Sequence, residues 1–359
     1  MKHLYALMIA FILFFSCSDD NSTQPQKLKK FFLNAEIEVG SQPAEIFYDE
    51  NTGIYHIFCL GKDINYNGVK DENDENPSWW VLNQSNLSSP VKKIDFDFGN
   101  MGFPFRPFVD FTNKKLYISQ NNFLKIYDLN TSDLINQFEI PYNATAISVE
   151  GNYLYLSIVK SFDQVGELES YDLNTFKKTG SVTCGYSVGQ SIIYTLNNNK
   201  YIAVISQGNG AENSILDIFL INNGSFTQIK RFENLGNFAN HIAIYNDELY
   251  LTINGSHKIY VIDLKDHTVK NIINTLTNGY NGPREIALLD EKYLFTTTYD
   301  KKILIFDKNN GSLLDSYLIN NKTEGLAFGA NGNQLLVAEI NDENYVPINK
   351  VAVYKVENN

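Results

Sequence analysis

The stretch from Leu124 to Ile140, LKIYDLNTSDLINQFEI, reads as a strand, a tight polar turn and a second strand. Its kernel is a large apolar residue, then Asp, then Leu, then a turn. The kernel returns at Tyr171-Asp172-Leu173-Asn174, Ile262-Asp263-Leu264-Lys265 and Phe306-Asp307-Lys308-Asn309. The aspartates at 128 and 172 lie 44 residues apart, those at 172 and 263 lie 91 apart, and those at 263 and 307 again 44. The middle gap holds two periods, and Phe219-Leu220-Ile221-Asn222 fills it without the Asp. A period of about 40–45 residues built from short strands is the mark of a β-propeller.

Working outward, six further repeats follow the first, which opens at Gln42-Pro43-Ala44-Glu45. The seventh starts at Glu324-Gly325-Leu326 and ends one strand short. A lone strand, Phe31 to Val39, precedes the first repeat and can supply the missing one, which closes the ring and covers two open sheet edges. The expectation is an all-β, seven-bladed propeller over residues 30–359, its last blade completed by the N-terminal strand. Six or eight blades follow if Val188 to Asn223 is divided differently.

The composition agrees with this class. The chain has 24 Phe and 22 Tyr against two Trp, and aromatic residues suit half-buried pleated surfaces. Its formal net charge of −12 argues against nucleic acid or an anionic membrane surface as the main partner. Cys59 and Cys184 fall in different, non-adjacent repeats and read as two buried free thiols.

The N-terminus reads as an address. Lys2 and His3 precede an apolar run, Leu4 to Phe15, that is too short to span a membrane as a permanent helix. Phe14-Phe15-Ser16-Cys17 resembles the lipobox of bacterial lipoproteins. That resemblance implies a signal peptide over 1–16, lipidation of Cys17 and a membrane-anchored protein. An incidental Cys after an ordinary signal peptide is the alternative. Asp19-Asp20 resembles the surface-export signal of Bacteroidota lipoproteins, and residues 17–29 read as a flexible tether.

The blade pattern is similar to the YncE/YVTN-repeat propellers, although LYIS (116–119), LYLS (154–157) and LYLT (249–252) stand where the strict Tyr-Val-Thr-Asn strand belongs. Combined with the lipobox and acidic pair, it resembles the surface lipoprotein propellers of Bacteroidota. Some of these capture a nutrient, a corrinoid among them, for a TonB-dependent transporter. The resemblance implies an outer-membrane, surface-exposed binding protein without catalysis. Fold by itself does not give the ligand.

The sharpest local motif lies in the loop 61–78. Asp63, Asn65, Asn67, Gly68, Asp71 and Asp74 match D-x-[DN]-x-[DN]-G with an acid at the twelfth position. A hard Ca²⁺ ion needs six to eight oxygens, and alternate side chains in a tight loop supply them, with the Val69 carbonyl at the seventh position. Asp at the last position and two neutral Asn suggest binding on the order of 10⁻⁴ M or weaker. The same residues without an ion make an acidic, solvated loop. The loop should lie on the face where inner strands begin, beside Trp79 and Trp80. One Trp is expected in blade packing and the other against a ligand.

Inner strands line the channel of a propeller. Their opening residues include Glu45, Arg106, Thr145, Gln190, His241, Glu285 and Glu324, with Asn240 and Arg284 beside them and Tyr299 on a neighbouring loop. This polar ring suits a nutrient bound at the channel mouth, and it equally suits a wet structural channel. Two other classes compete. One is an adhesive or protein-binding surface propeller. The other is a calcium-dependent, lactonase-like enzyme built on Glu45, Asn240, Glu285 and Glu324, against which stands the absence of a Gly-x-Ser-x-Gly or HExxH motif.

Overall fold

A computed structural model describes residues 27–65, 67–99, 106–210 and 213–357. Cys17, the signal peptide and most of the tether lie outside the described residues. The chain forms seven four-stranded antiparallel sheets in a ring. Six are made of consecutive strands. The seventh orders Lys30–Glu38 beside Pro347–Glu357, then Gln334–Asn341 and Lys322–Phe328. The N-terminal strand therefore closes the last blade, with Lys30 opposite Glu357 and Glu38 opposite Lys350. Leu28, expected in the tether, is already buried in one apolar cluster with Phe31 and Tyr354.

The repeated aspartates act on the turn between third and fourth strands. Asp128 Oδ1 accepts the N–H groups of Asn130 and Thr131 at 2.8 and 2.9 Å. Asp172 repeats this with Asn174 and Thr175, Asp263 with Lys265, and Asp307 with Asn309. Each is an Asx turn, in which a short carboxylate replaces a backbone carbonyl. These N–H donors also hold the Asp128 and Asp172 carboxyls below the usual range. The fourth blade lacks the Asp because Asn223 and Gly224 take positive φ, 48° and 76°, between paired Asn222 and Ser225. That is the two-residue hairpin turn, which needs no side-chain brace.

The core lies between blades rather than within them. Phe58, Trp79 and Val81 of the first blade pack on Leu116, Ile118 and Tyr127 of the second. Outer strands are largely exposed, as in Leu134–Glu139. Cys59 and Cys184 are buried and free, and burial pushes the Cys59 thiol up to about 12.

Six of the seven inner strands share one irregularity that positions channel residues. The pairing register slips between Pro43 and Glu45, Ala144 and Ala146, Val188 and Ser191, Ala239 and His241, Pro283 and Ile286, and Thr323 and Leu326. A β-bulge leaves its extra residues out of the ladder and re-aims their side chains. Here the skipped residues include Gln190, Asn240, Arg284, Glu285 and Glu324. Each sits near the face where inner strands begin, called the entry face below; the opposite face is the exit face.

Ring closure rests on Phe31. Its ring stacks on Tyr354 at 4.8 Å and meets Tyr317 at 4.4 Å and Phe295 at 5.9 Å. Phe31→Ala is expected to lower stability by about 3–5 kcal/mol in urea unfolding. A loss below about 1 kcal/mol would show that closure does not rest on this ring.

Candidate functional site

The entry end of the channel is a buried ion cluster drawn from several blades. Arg106 Nη1 contacts both Glu45 Oε1 of the first blade and Glu285 Oε1 of the sixth. Glu285 Oε2 accepts the Leu326 N–H at 2.9 Å. Arg284 grips Glu324 with two nitrogens, one at 3.0 Å, and lies 4.2 Å from the centre of the Tyr299 ring. The Tyr299 hydroxyl donates to the same Glu324 carboxylate. His241 Nδ1 accepts the Ile286 N–H at 3.3 Å, which leaves the ring proton on Nε2, 3.9 Å from Glu285.

Burial sets the charge states. It pushes the Glu45 carboxyl well above its ordinary range, with Arg106 opposing and Glu285 and Glu324 adding to the rise. Burial raises Glu285 as well, against the pull of Arg106. Burial lowers His241 well below its usual value, and Arg106 and Arg284 lower it further, so the imidazole is neutral. Desolvation weakens the charge on Arg106, but Glu45 and Glu285 outweigh it.

Other expected channel residues join neighbouring blades. Gln190 Oε1 accepts the Ile242 N–H at 2.6 Å, and Asn240 Nδ2 donates to the Arg284 carbonyl at 3.3 Å. The channel set is therefore brought together, but Arg284, Glu324 and Tyr299 satisfy one another away from the open space.

That open space is a cavity of about 410 Å³. Glu45, Arg106, Gln190, His241 and Glu285 form its inner end. Its walls are inner-strand residues such as Ile46, Phe47, Phe108, Ile147 and Ile192, with Ser148 and Ser191 between them. It reaches Glu150, Thr195 and Lys200, where inner strands end and second strands begin. The cavity therefore extends to the exit face, not to the channel mouth that the sequence suggested. Sequence reading missed Ser148, Ser191, Tyr194, Thr195 and Lys200. The available signal was the alternation of side chains along the inner strands beyond the polar opening.

Neither Trp reaches the cavity. Trp79 is fully enclosed, stacked on Phe58 and donating Nε1–H to His56 Nδ1 at 3.1 Å. Trp80, on the opposite side of its strand, packs toward the seventh blade and donates to Ser78 Oγ at 3.0 Å. One Trp was expected in blade packing, as Trp79 is; the place expected for the other against a ligand is corrected by the packing of Trp80 on the other interblade core.

The loop 61–78 lies on the entry face, closed by paired backbone hydrogen bonds between Lys62 and Glu75 at 2.9 Å. Gly61 has φ +79°, and a Cβ there would meet the Glu75 carbonyl oxygen at 2.4 Å, so glycine is required. Gly68 has φ +71° at the tight turn and donates its N–H to Asp63 Oδ2 at 2.8 Å. Asp74 accepts the N–H groups of Ile64 and Asp71, both at 2.8 Å, which holds its carboxyl below the usual range. Asn65 and Asn67 direct their amides at Asp71 Oδ2, at 2.8 and 3.0 Å, and Val69 donates its N–H to Asn67 Oδ1. The set is rich in oxygens of the kind calcium takes, and turning over the Asn65 amide brings its oxygen beside Asp71, whereas the Asn67 oxygen is held by the Val69 N–H. Among the described residues, however, no three His, Cys, Asp or Glu side chains gather at metal-binding distance.

The raised Glu45 carboxyl gives stability a pH slope. Between the unfolded value near 4.5 and the higher folded value, the folded state holds a proton that the unfolded chain has released. Stability is thus expected to fall as pH rises through that window, by up to about 1.4 kcal/mol per pH unit for one proton. Glu45→Gln is expected to flatten this part of the slope in urea unfolding followed against pH; an unchanged slope would place the proton elsewhere. No protein-family model matches the chain, and no curated protein matches it in sequence.

Proposed function

We propose that this propeller is a non-catalytic binding protein that holds a small-molecule nutrient in its channel. The single observation carrying this reading is the cavity of about 410 Å³, walled by rigid inner strands and ending on buried polar groups. Apolar walls with a few converging polar groups are what small-molecule sites share, and the volume lies within their usual range of roughly 300–1,000 Å³. The size favours a compact ligand inside the channel; a corrinoid can be held only at a mouth.

The lipobox and acidic-pair resemblance supports an outer-membrane, surface-exposed lipoprotein tethered through Cys17, of the YncE/YVTN-like kind, serving a TonB-dependent transporter. The course of the chain suits this reading. Lys30 pairs with Glu357 at the end of the third strand of its blade, so the propeller is entered from the exit face. Tether and cavity opening then share one side, where a membrane-embedded transporter would receive the ligand.

Calcium in the 61–78 loop is part of the same proposal, with Asp63, Asn65, Asn67, the Val69 carbonyl, Asp71 and Asp74 as ligands. Because Trp79 is enclosed and the cavity reaches the other face, the ion would brace the first blade and not grip the ligand. With affinity on the order of 10⁻⁴ M, about 10 mM calcium should raise stability by about 2.7 kcal/mol. The measurement is the melting temperature of the purified protein in calcium and in chelator. Asp71→Ala should abolish the calcium response, and a response that survives in this variant would exclude the loop.

The cavity reading is tested by a plug. Thr195 is exposed at the rim, so Thr195→Trp should block entry without disturbing the core. Small polar nutrients are screened by calorimetry against both proteins. A ligand that binds the native protein and loses at least about tenfold in affinity to the plugged one supports the reading. Equal affinity for both would move binding out of the channel and favour a surface platform.

A further inference from the structure

Charge counting around the cavity says more about its occupant. Its lining carries three carboxyls, Glu45, Glu150 and Glu285, against two cations, Arg106 and Lys200. Glu150 and Lys200 pair with each other at the exit rim, 3.2 Å apart. At the inner end, Glu45 and Glu285 are left to share the single Nη1 of Arg106. Arg284 cannot help, because Glu324 occupies its guanidinium and neither residue lines the cavity. His241 is neutral. One buried carboxyl is therefore in excess, and it borders open space.

A buried carboxylate without a partner is too costly to persist, so it takes up either a proton or a cation. We propose that the cavity is built for a small organic cation, an ammonium-bearing molecule, whose charge sits against Glu45 and Glu285. This rests on the reading of the cavity as a binding site. An anion meets the opposite situation, since Arg106 already carries two carboxyls. A neutral molecule leaves the excess carboxyl as it was. Phe47, Phe108 and Tyr194 among the walls suit the apolar part of such a ligand, and aromatic faces attract cations.

Arg106 is 7% exposed, and its Nε has no hydrogen-bond partner among the described residues. That nitrogen is enclosed by protein and not open to the cavity, so the excess carboxyl is the feature a ligand meets.

Binding is then linked to proton release. Glu45 is faced by Arg106 from the second blade, Glu285 from the sixth and Glu324 from the seventh, and His241 of the fifth, which feels Arg106 and Arg284, lies beside Glu285. Within this set, the entering cation displaces the proton held by the Glu45–Glu285 pair, and that proton leaves to solvent. Cation affinity should strengthen as pH rises, by up to about tenfold per unit while that proton remains bound.

The test uses three probes of one shape and different charge: phenethylammonium, 2-phenylethanol and phenylacetate. Calorimetry on the purified protein, in buffers of different ionisation heat, reads affinity and protons released together. The expected result is at least about tenfold preference for the ammonium over the alcohol, with proton release approaching one. Glu45→Gln, checked for folding by its melting curve, should collapse that preference. If the alcohol or phenylacetate binds as tightly as the ammonium, the cation inference is overturned and the cavity reading stands. If none of the three binds up to about 10 mM, both fall.

Discussion

Closing seven sheets into one ring forces seven inner strands onto a single narrow axis, and the site follows from that constraint. Strands 30–38 and 347–357 must pair to remove the last open edges, and only then is the axis enclosed. Crowding at the entry end is relieved in the same way in six blades. A bulge drops one or two residues from the ladder near the start of the inner strand. Side chains freed from the pleat turn toward the axis or toward the next blade. Thr145 donates to the Val188 carbonyl at 2.6 Å, and Gln190 accepts from Ile242, so one irregularity both stitches blades and supplies polar groups to the channel.

Charge placed on that axis has little water to answer it. Removing ions from water costs several kcal/mol each, which a buried pair recovers only with good geometry and further hydrogen bonds. Arg284 and Glu324 meet that condition, with two contacts between them and the Tyr299 hydroxyl on the same carboxylate. Arg106, Glu45 and Glu285 meet it only in part, since one guanidinium nitrogen serves two carboxyls. The first group is a finished structural unit. The second keeps an unsettled charge, and it is the one that borders the cavity. Position in the ring does not separate them, because both sit at the same level; their pairing does.

Much of the fold was legible because turns repeat. A fixed Asp bracing each Asx turn gave the period, and its absence in the fourth blade has a local cause, the Asn223-Gly224 hairpin. The ring of channel residues was legible too, because polar residues opening an otherwise apolar strand have few other places to point. What lay beyond was not. Ser148, Ser191 and Thr195 look like ordinary strand residues, and only the three-dimensional curvature of the ring shows that they face empty space. The tryptophans misled for a physical reason. Their place beside the 61–78 loop suggested exposure, yet strict alternation along Ser78–Asn83 sends Trp79 to one interblade core and Trp80 toward the other.

A cavity lined by strands recognises differently from one lined by loops. Its walls are held by ladder hydrogen bonds and interblade packing, so little conformational freedom remains to be lost when a ligand enters. Nor can the walls close around a guest, so selectivity has to come from charge and shape already in place. The inner end of this channel supplies the charge. Two carboxyls, Glu45 and Glu285, and one guanidinium, Arg106, are held there by opposing blades, and no rearrangement short of opening the ring can change that ratio. On the proposed reading, the same rigidity that makes the excess carboxyl costly would also make it selective, because a partner of the wrong sign could not push it aside.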